Sequence, residues 1–112
     1  MIPLNITAKD AATGPVLEVT GNLDFEHANA LHQQIERLTL RRGQRLVIDL
    51  SGMEFCDSSG IAVLIAARRH AVAAEADLAL VAVPANTLRV MAIVGLDQVF
   101  TFHPDTATAT GV

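Results

Sequence analysis

The stretch Val47-Ile48-Asp49-Leu50-Ser51-Gly52-Met53-Glu54-Phe55-Cys56-Asp57-Ser58-Ser59-Gly60 decides how this chain folds. With Leu46 before it, its first residues form an apolar run short enough for a strand and apolar enough to be buried on both faces. A short link at Ser51-Gly52 comes next, then Phe55-Cys56. Asp57-Ser58-Ser59-Gly60 is a helix-start signal, because an Asp or Ser oxygen accepts from the unpaired N–H groups of a helix's first turn. Beyond it, Ile61, Leu64, Ile65, Arg68 and Val72 recur at helical spacing. Two serines therefore sit at the positive end of a helix, just past a central strand. They are either plain caps or a regulated site.

Upstream, residues 1–7 carry Leu4 and Ile6 in alternation behind Pro3, which suits an edge strand. A turn over residues 11–15 leads to a second strand, Val16-Leu17-Glu18-Val19-Thr20, the hairpin partner of the first. Gly21-Asn22-Leu23-Asp24 breaks that strand, with Asp24 placed to cap the first helix. Over residues 25–40 the apolar Ala28, Leu31, Ile35 and Leu38 share one helical face, and Arg41, Arg42 and Gly43 end the helix. Downstream, a turn at residues 75–77 precedes a buried strand over 78–83, which Pro84 ends. Residues 85–94, containing Leu88, Met91 and Ala92, read as a third helix with Gly95 as its stop. Val99-Phe100-Thr101-Phe102 is a last short strand. The tail, residues 103–112, alternates Thr and Ala without an amphipathic face and is expected to fray. The order is β-β-α-β-α-β-α-β in one α/β domain, 1–112. The βαβ units imply right-handed crossovers and locally parallel strands, after an antiparallel opening hairpin.

The composition fits one modest core. The 112 residues are 51% apolar, mostly Ala, Val, Leu and Ile, with no Trp or Tyr. A formal charge of −4 argues against a general nucleic-acid binder, which needs a basic stripe. Arg41-Arg42 with Arg45, and Arg68-Arg69, read as solvated helix ends. The single Cys56 excludes an internal disulfide and a cysteine-based zinc cluster, and fits a reducing compartment. No signal peptide is visible, and the longest apolar run, residues 61–67, is far short of the roughly 20 residues a membrane span needs. The expectation is a soluble, cytoplasmic protein without membrane insertion.

Catalytic patterns fail one after another. A G-x-S-x-G elbow finds Gly60 after Ser58 but Cys56 where the first glycine belongs. No Gly-Lys pair exists for a phosphate-binding loop, and no G-x-G-x-x-G comes after a strand. His27 and His32 are five apart, so they do not share a helical face as paired metal ligands do. Glu18, Asp49 and Asp57 lie on different elements and form no acid–base pair. No enzyme activity, cofactor or metal is expected.

The same residues resemble a known family. Val47-Ile48-Asp49-Leu50-Ser51-Gly52 with Phe55-Cys56-Asp57-Ser58-Ser59-Gly60-Ile61 resembles the central signature of bacterial anti-sigma-factor antagonists, single-domain members of the STAS fold. Gly21-Asn22-Leu23-Asp24 resembles the G-x-L-D that opens their first helix. Val94-Gly95-Leu96-Asp97-Gln98-Val99-Phe100 resembles their late G-L-x-x-V-F segment. The likeness spans residues 16–102 with three motifs in order; the tail departs from it, since the family often adds a last helix there.

The resemblance implies a STAS-like, four- to five-stranded mixed β-sheet with helices packed on it. It implies a binding module: the unphosphorylated form holds an anti-sigma factor with serine kinase activity and so frees a sigma factor. The kinase phosphorylates the first serine of D-S-S-G, here Ser58, and the partner lets go; a phosphatase resets the switch. The implied contact residues are Asn22, Asp24, Asp57, Ser58, Ser59, Gly60 and Ile61, on a free protein that is a monomer or weak dimer. Several have a plainer role beside this one: Asp24 and Asp57 as caps, Ile61 as core. The alternative function is a scaffold subunit of the same fold in a stress-sensing or lipid-transport complex.

Overall fold

The computed structural model describes residues 3–110. It contains a five-stranded sheet whose strands lie side by side in chain order, β1 (Asn5–Ala11), β2 (Gly14–Leu23), β3 (Arg45–Cys56), β4 (Asp77–Val81) and β5 (Thr101–His103). β1 is antiparallel to β2, and every later neighbour is parallel. The helices are α1 (Ala28–Glu36), α2 (Ser58–Ala73), α3 (Ala85–Ile93) and α4 (Thr106–Thr110), with a 3-10 turn over Leu96–Gln98. The mixed α/β architecture and the element order are those the sequence predicts. The edge strand starts later than expected, and the part of that expectation on residues 1–2 lies outside the described residues.

Alternation in the strands divides the core. Leu17, Val19, Leu46, Ile48, Leu50, Leu78 and Leu80 join Leu31, Ile35, Leu64, Ala67, Ala71 and Met91 of α1, α2 and α3 in the main cluster. Val16, Val47, Ala79 and Val81, the intervening residues, form a second cluster with Ala109 of α4. The two-sided burial expected of β3 is therefore real, and the tail supplies its second cover. The expected fraying of 103–112 is corrected accordingly over residues 103–110; residues 111–112 lie outside the described residues. Ala109 is 1% exposed, Arg45 Nη1 donates to the Ala109 carbonyl at 3.1 Å, and Thr106 Oγ1 donates to Asp49 Oδ2 at 3.0 Å. Threonine-rich sequence is a poor helix former; tertiary contacts hold this turn.

Ser51-Gly52 does not end β3, nor does Gly21 end β2. Register shifts between Glu18 and Thr20, and between Gly21 and Asn22, let the two strands run on together. Gly21 takes φ +89°, and a Cβ on Gly52 would lie 2.5 Å from Thr20 Cγ2. The glycines thus mark bulges rather than breaks. β4 stops at Val81 opposite Asp49, so residues 52–56 of β3 pair with β2 alone. A two-stranded ribbon projects past the sheet and delivers the starts of α1 and α2 at its tip.

Helix phases differ from expectation too. α1 is shorter than residues 25–40 but buries the expected Ala28, Leu31 and Ile35. α2 buries Gly60, Val63, Leu64, Ala67 and Ala71, leaving Val72 55% exposed and Arg68 in solvent. Its sequence is apolar nearly all round at 61–67, and the face that packs is the one with small residues, which permit close approach. α3 buries Met91 and Thr87, while Leu88 and Ala92 face outward; Gly95, at φ +81°, stops it as read. The last strand begins at Thr101 because Leu96–Gln98 first makes a 3-10 turn.

Candidate phosphoacceptor and docking site

At the ribbon tip, Leu23 pairs with Cys56 and each strand ends in an aspartate, Asp24 and Asp57. Asp57 is the N-cap of α2, with φ −103° and ψ −170°. Its Oδ1 accepts from the backbone N–H of Ser59 at 2.9 Å and of Gly60 at 3.2 Å. Its Oδ2 accepts from the N–H of Phe25 at 3.1 Å, and its own N–H donates to the Leu23 carbonyl at 3.4 Å. One side chain thus satisfies two unpaired donors of a helix start and ties down the loop from the neighbouring strand.

Asp24 does not cap α1 as expected, because a turn over residues 25–27 comes between them and His27 is the N-cap; Asp24 works within its own loop. Its Oδ1 accepts from the His27 N–H at 3.1 Å and faces His27 Nδ1 at 2.7 Å, while its carbonyl accepts from Ala28 at 2.8 Å. Burial pushes the Asp24 carboxyl up, but the bonds and charge of His27 outweigh it and hold the group below its ordinary value.

Ser58, the first residue of α2, is exposed. Ser59 is half-buried. Gly60 is buried, and a Cβ there would lie 2.4 Å from the Leu23 carbonyl oxygen and 2.7 Å from Cys56 Sγ. Gly60 therefore serves close packing of α2 on the ribbon and has almost no surface to offer a partner, which corrects its expected contact role. Asn22, opposite Phe55 in the ribbon, is half-buried, as is Ile61. At Cys56 beside them, burial, with the charge of Asp57 second, pushes the thiol up to about 11, which disfavours the reactive thiolate.

Two shallow depressions meet at Cys56, Ile61 and Val90, between the start of α2 and α3. One is further lined by Met53, Phe55, Pro84 and Thr87, the other by Asp57, Ser58 and Val94. Phe55 and Val94 are more than half exposed, and Phe25 is 84% exposed. An apolar strip of this kind next to a modifiable hydroxyl has the character of a protein contact surface. Sequence reading missed Phe25, Phe55, Val90 and Val94. A wider apolar depression, lined by Val83, Leu88, Ala92, Phe102 and His103, shares no lining residue with Ser58. Among the described residues no His, Cys, Asp and Glu cluster suits a metal ion, and no helix is long and apolar enough to cross a membrane.

A family model described as "Mlab, STAS domain" matches residues 6–102. The chain belongs to the STAS-domain family. It is similar to the anti-sigma-F factor antagonist RsfB of Mycobacterium tuberculosis, 32% identical over 97 residues that span 87% of this chain and 79% of that one. A crystal structure of an anti-sigma factor antagonist from Mycobacterium paratuberculosis superposes with a TM-score of 0.81 at 30% identity, covering 96% of this chain and 93% of that one. The anti-sigma factor antagonist SpoIIAA in its unphosphorylated form shares the fold, with a TM-score of 0.63 at 17% identity and coverage of 97% and 93%. The STAS fold read from the three sequence motifs is the fold of this domain.

Proposed function

We propose that this STAS domain is an anti-sigma-factor antagonist working by partner switching in the bacterial cytoplasm, with Ser58 as its phosphorylation site. The observation that carries the reading is an exposed Ser58 at the head of α2, bordering an apolar groove. The names of the similar mycobacterial proteins support the same class. In the unmodified state the groove and the Asp57-braced loop dock on an anti-sigma factor with serine kinase activity, which releases its sigma factor.

The kinase then moves the γ-phosphoryl of ATP onto Ser58 Oγ; ADP leaves, and the hydroxyl proton goes to a base of the kinase. A phosphatase hydrolyses the ester, returning the hydroxyl and inorganic phosphate. The STAS domain itself catalyses neither step. Phosphate adds about −1.5 to −2 charges at pH 7, taking the formal −4 to roughly −6. At a helix N-terminus that charge leaves the fold intact. In a dry interface, beside Asp57, it is opposed. A penalty of only about 3 kcal/mol weakens binding more than a hundredfold.

The test is affinity capture from the native cells with tagged wild type, Ser58→Ala and Ser58→Asp. Wild type and Ser58→Ala retain the kinase, and Ser58→Asp loses it. Equal capture by all three contradicts the proposal. The matching model's description names a STAS domain and no sigma factor, which leaves a second reading, a scaffold subunit of a stress-sensing or lipid-transport complex. That reading requires the protein to elute in a large stable complex whatever stands at position 58.

A further inference from the structure

Asp57 does more than cap α2. Its two carboxylate oxygens face different elements, Oδ1 the Ser59 and Gly60 amides and Oδ2 the Phe25 amide. The residue whose amide it holds is the most exposed of the large apolar side chains among the described residues, at 84%. Exposed aromatics, Phe included, are enriched in protein interfaces, and the backbone of Phe25 is held by Asp57, which lines the apolar groove. Holding the Phe25 backbone limits the entropy lost when that ring docks. Within the α1 loop the Asp24 and His27 contacts fix residues 24, 27 and 28. Phe25 is fixed from outside, by Asp57.

Resting on the partner-switch reading, we infer that Asp57 is a positioning residue coupling Ser58 to Phe25. A phosphate on Ser58 draws the Asp57 carboxylate off the Phe25 amide and frees the loop carrying this aromatic contact. The chemistry is competition and repulsion. The phosphate is a dianionic acceptor one residue from Asp57, and the helix start offers few N–H groups, two of which Oδ1 already takes. Once the phosphate captures those donors, the carboxylate loses its seat and its like charge drives it outward. The partner then loses an ordered aromatic anchor as well as meeting a new charge. The partner surface that fits is an apolar pocket sized for a phenyl ring.

The test needs no kinase. Phosphoserine is installed at position 58 by genetic encoding, and amide hydrogen exchange is followed by NMR in wild type, Asp57→Ala and Asp24→Ala proteins. The Phe25 amide is expected to exchange about tenfold faster with phosphoserine, the factor for one hydrogen bond of about 1.4 kcal/mol. Asp57→Ala should reproduce that rate without phosphate and show no further rise with it; Asp24→Ala, with Asp57 intact, should retain the phosphate response. An unchanged Phe25 amide in the phosphoprotein overturns the coupling, even where phosphorylation still abolishes kinase capture. A phosphate response that persists in Asp57→Ala overturns it as well. A Phe25 amide that responds while kinase capture does not supports the coupling and sinks the partner switch instead.

Discussion

The tip of the β2/β3 ribbon contains two helix starts built to one recipe, a strand followed by an aspartate and a helix. They end up doing different things. Asp24 spends its carboxylate on His27, three residues on, and its influence stays within the turn. Asp57 reaches both its own helix and the opposite loop, and an exposed serine comes directly after it. Local sequence chemistry places an aspartate at each start, but only Asp57 is an N-cap; in α1 that place is held by His27, and Asp24 bonds within the turn before it. Only the pairing of β2 with β3, which brings Leu23 beside Cys56, makes one cap a junction. The start that we propose is regulated is the one whose cap also holds the opposite loop.

The harshest way to break the comparison is to separate the ribbon from α2. Gly60→Ala places a methyl 2.4 Å from the Leu23 carbonyl oxygen, a backbone atom that moves only with its strand. Urea unfolding should show a loss of about 3 kcal/mol, the upper range for overpacking. Gly43→Ala meets no atom within 4 Å and has only its positive φ to strain it, so it should cost clearly less.

Next in size is the setting of Cys56, its burial first and the Asp57 charge second. With its thiol near 11 against an ordinary 9.0, Cys56 should react with iodoacetamide at pH 8 about a hundredfold more slowly than an exposed cysteine, through its small thiolate fraction. Asp57→Asn should speed that reaction and Asp24→Asn should not. Below that comes the cap itself: Asp57→Ala should lose about 1–2 kcal/mol of stability in urea unfolding, and Asp24→Ala less.

The smallest expected effect is one of pH. The folded Asp24 carboxyl titrates below its unfolded value of 3.8, so its contribution is present above that value and lost as pH falls through the folded one. The stability gap between wild type and Asp24→Asn should shrink as pH falls from about 5 through the folded value. A gap that instead widens in acid would contradict the His27 bond.

How far the sequence could be read is set by these same residues. Alternation and helical spacing located the strands and the α1 face, since Ala28, Leu31 and Ile35 leave no second choice of inward side. Asp57 was legible as a cap because capping is local. The α2 face was not legible: with apolar residues at every position from 61 to 67, hydrophobicity carries no phase, and close packing through Gly60, Ala67 and Ala71 sets it. Gly21 and Gly52 read as breaks because a bulge depends on a partner strand. The order of the tail was invisible because Arg45 and Asp49, far upstream in the chain, hold it. The Phe25–Asp57 bond spans 32 residues, and no local rule predicts it.

The most direct test of the partner switch is intact-mass and site-mapping mass spectrometry of the protein from its native cells, with and without stress, beside a Ser58→Ala variant. The expected result is a single phosphate on Ser58 whose occupancy changes with conditions and which the variant lacks. Ser58 unmodified under every condition, or a phosphate that maps to another residue, would contradict it.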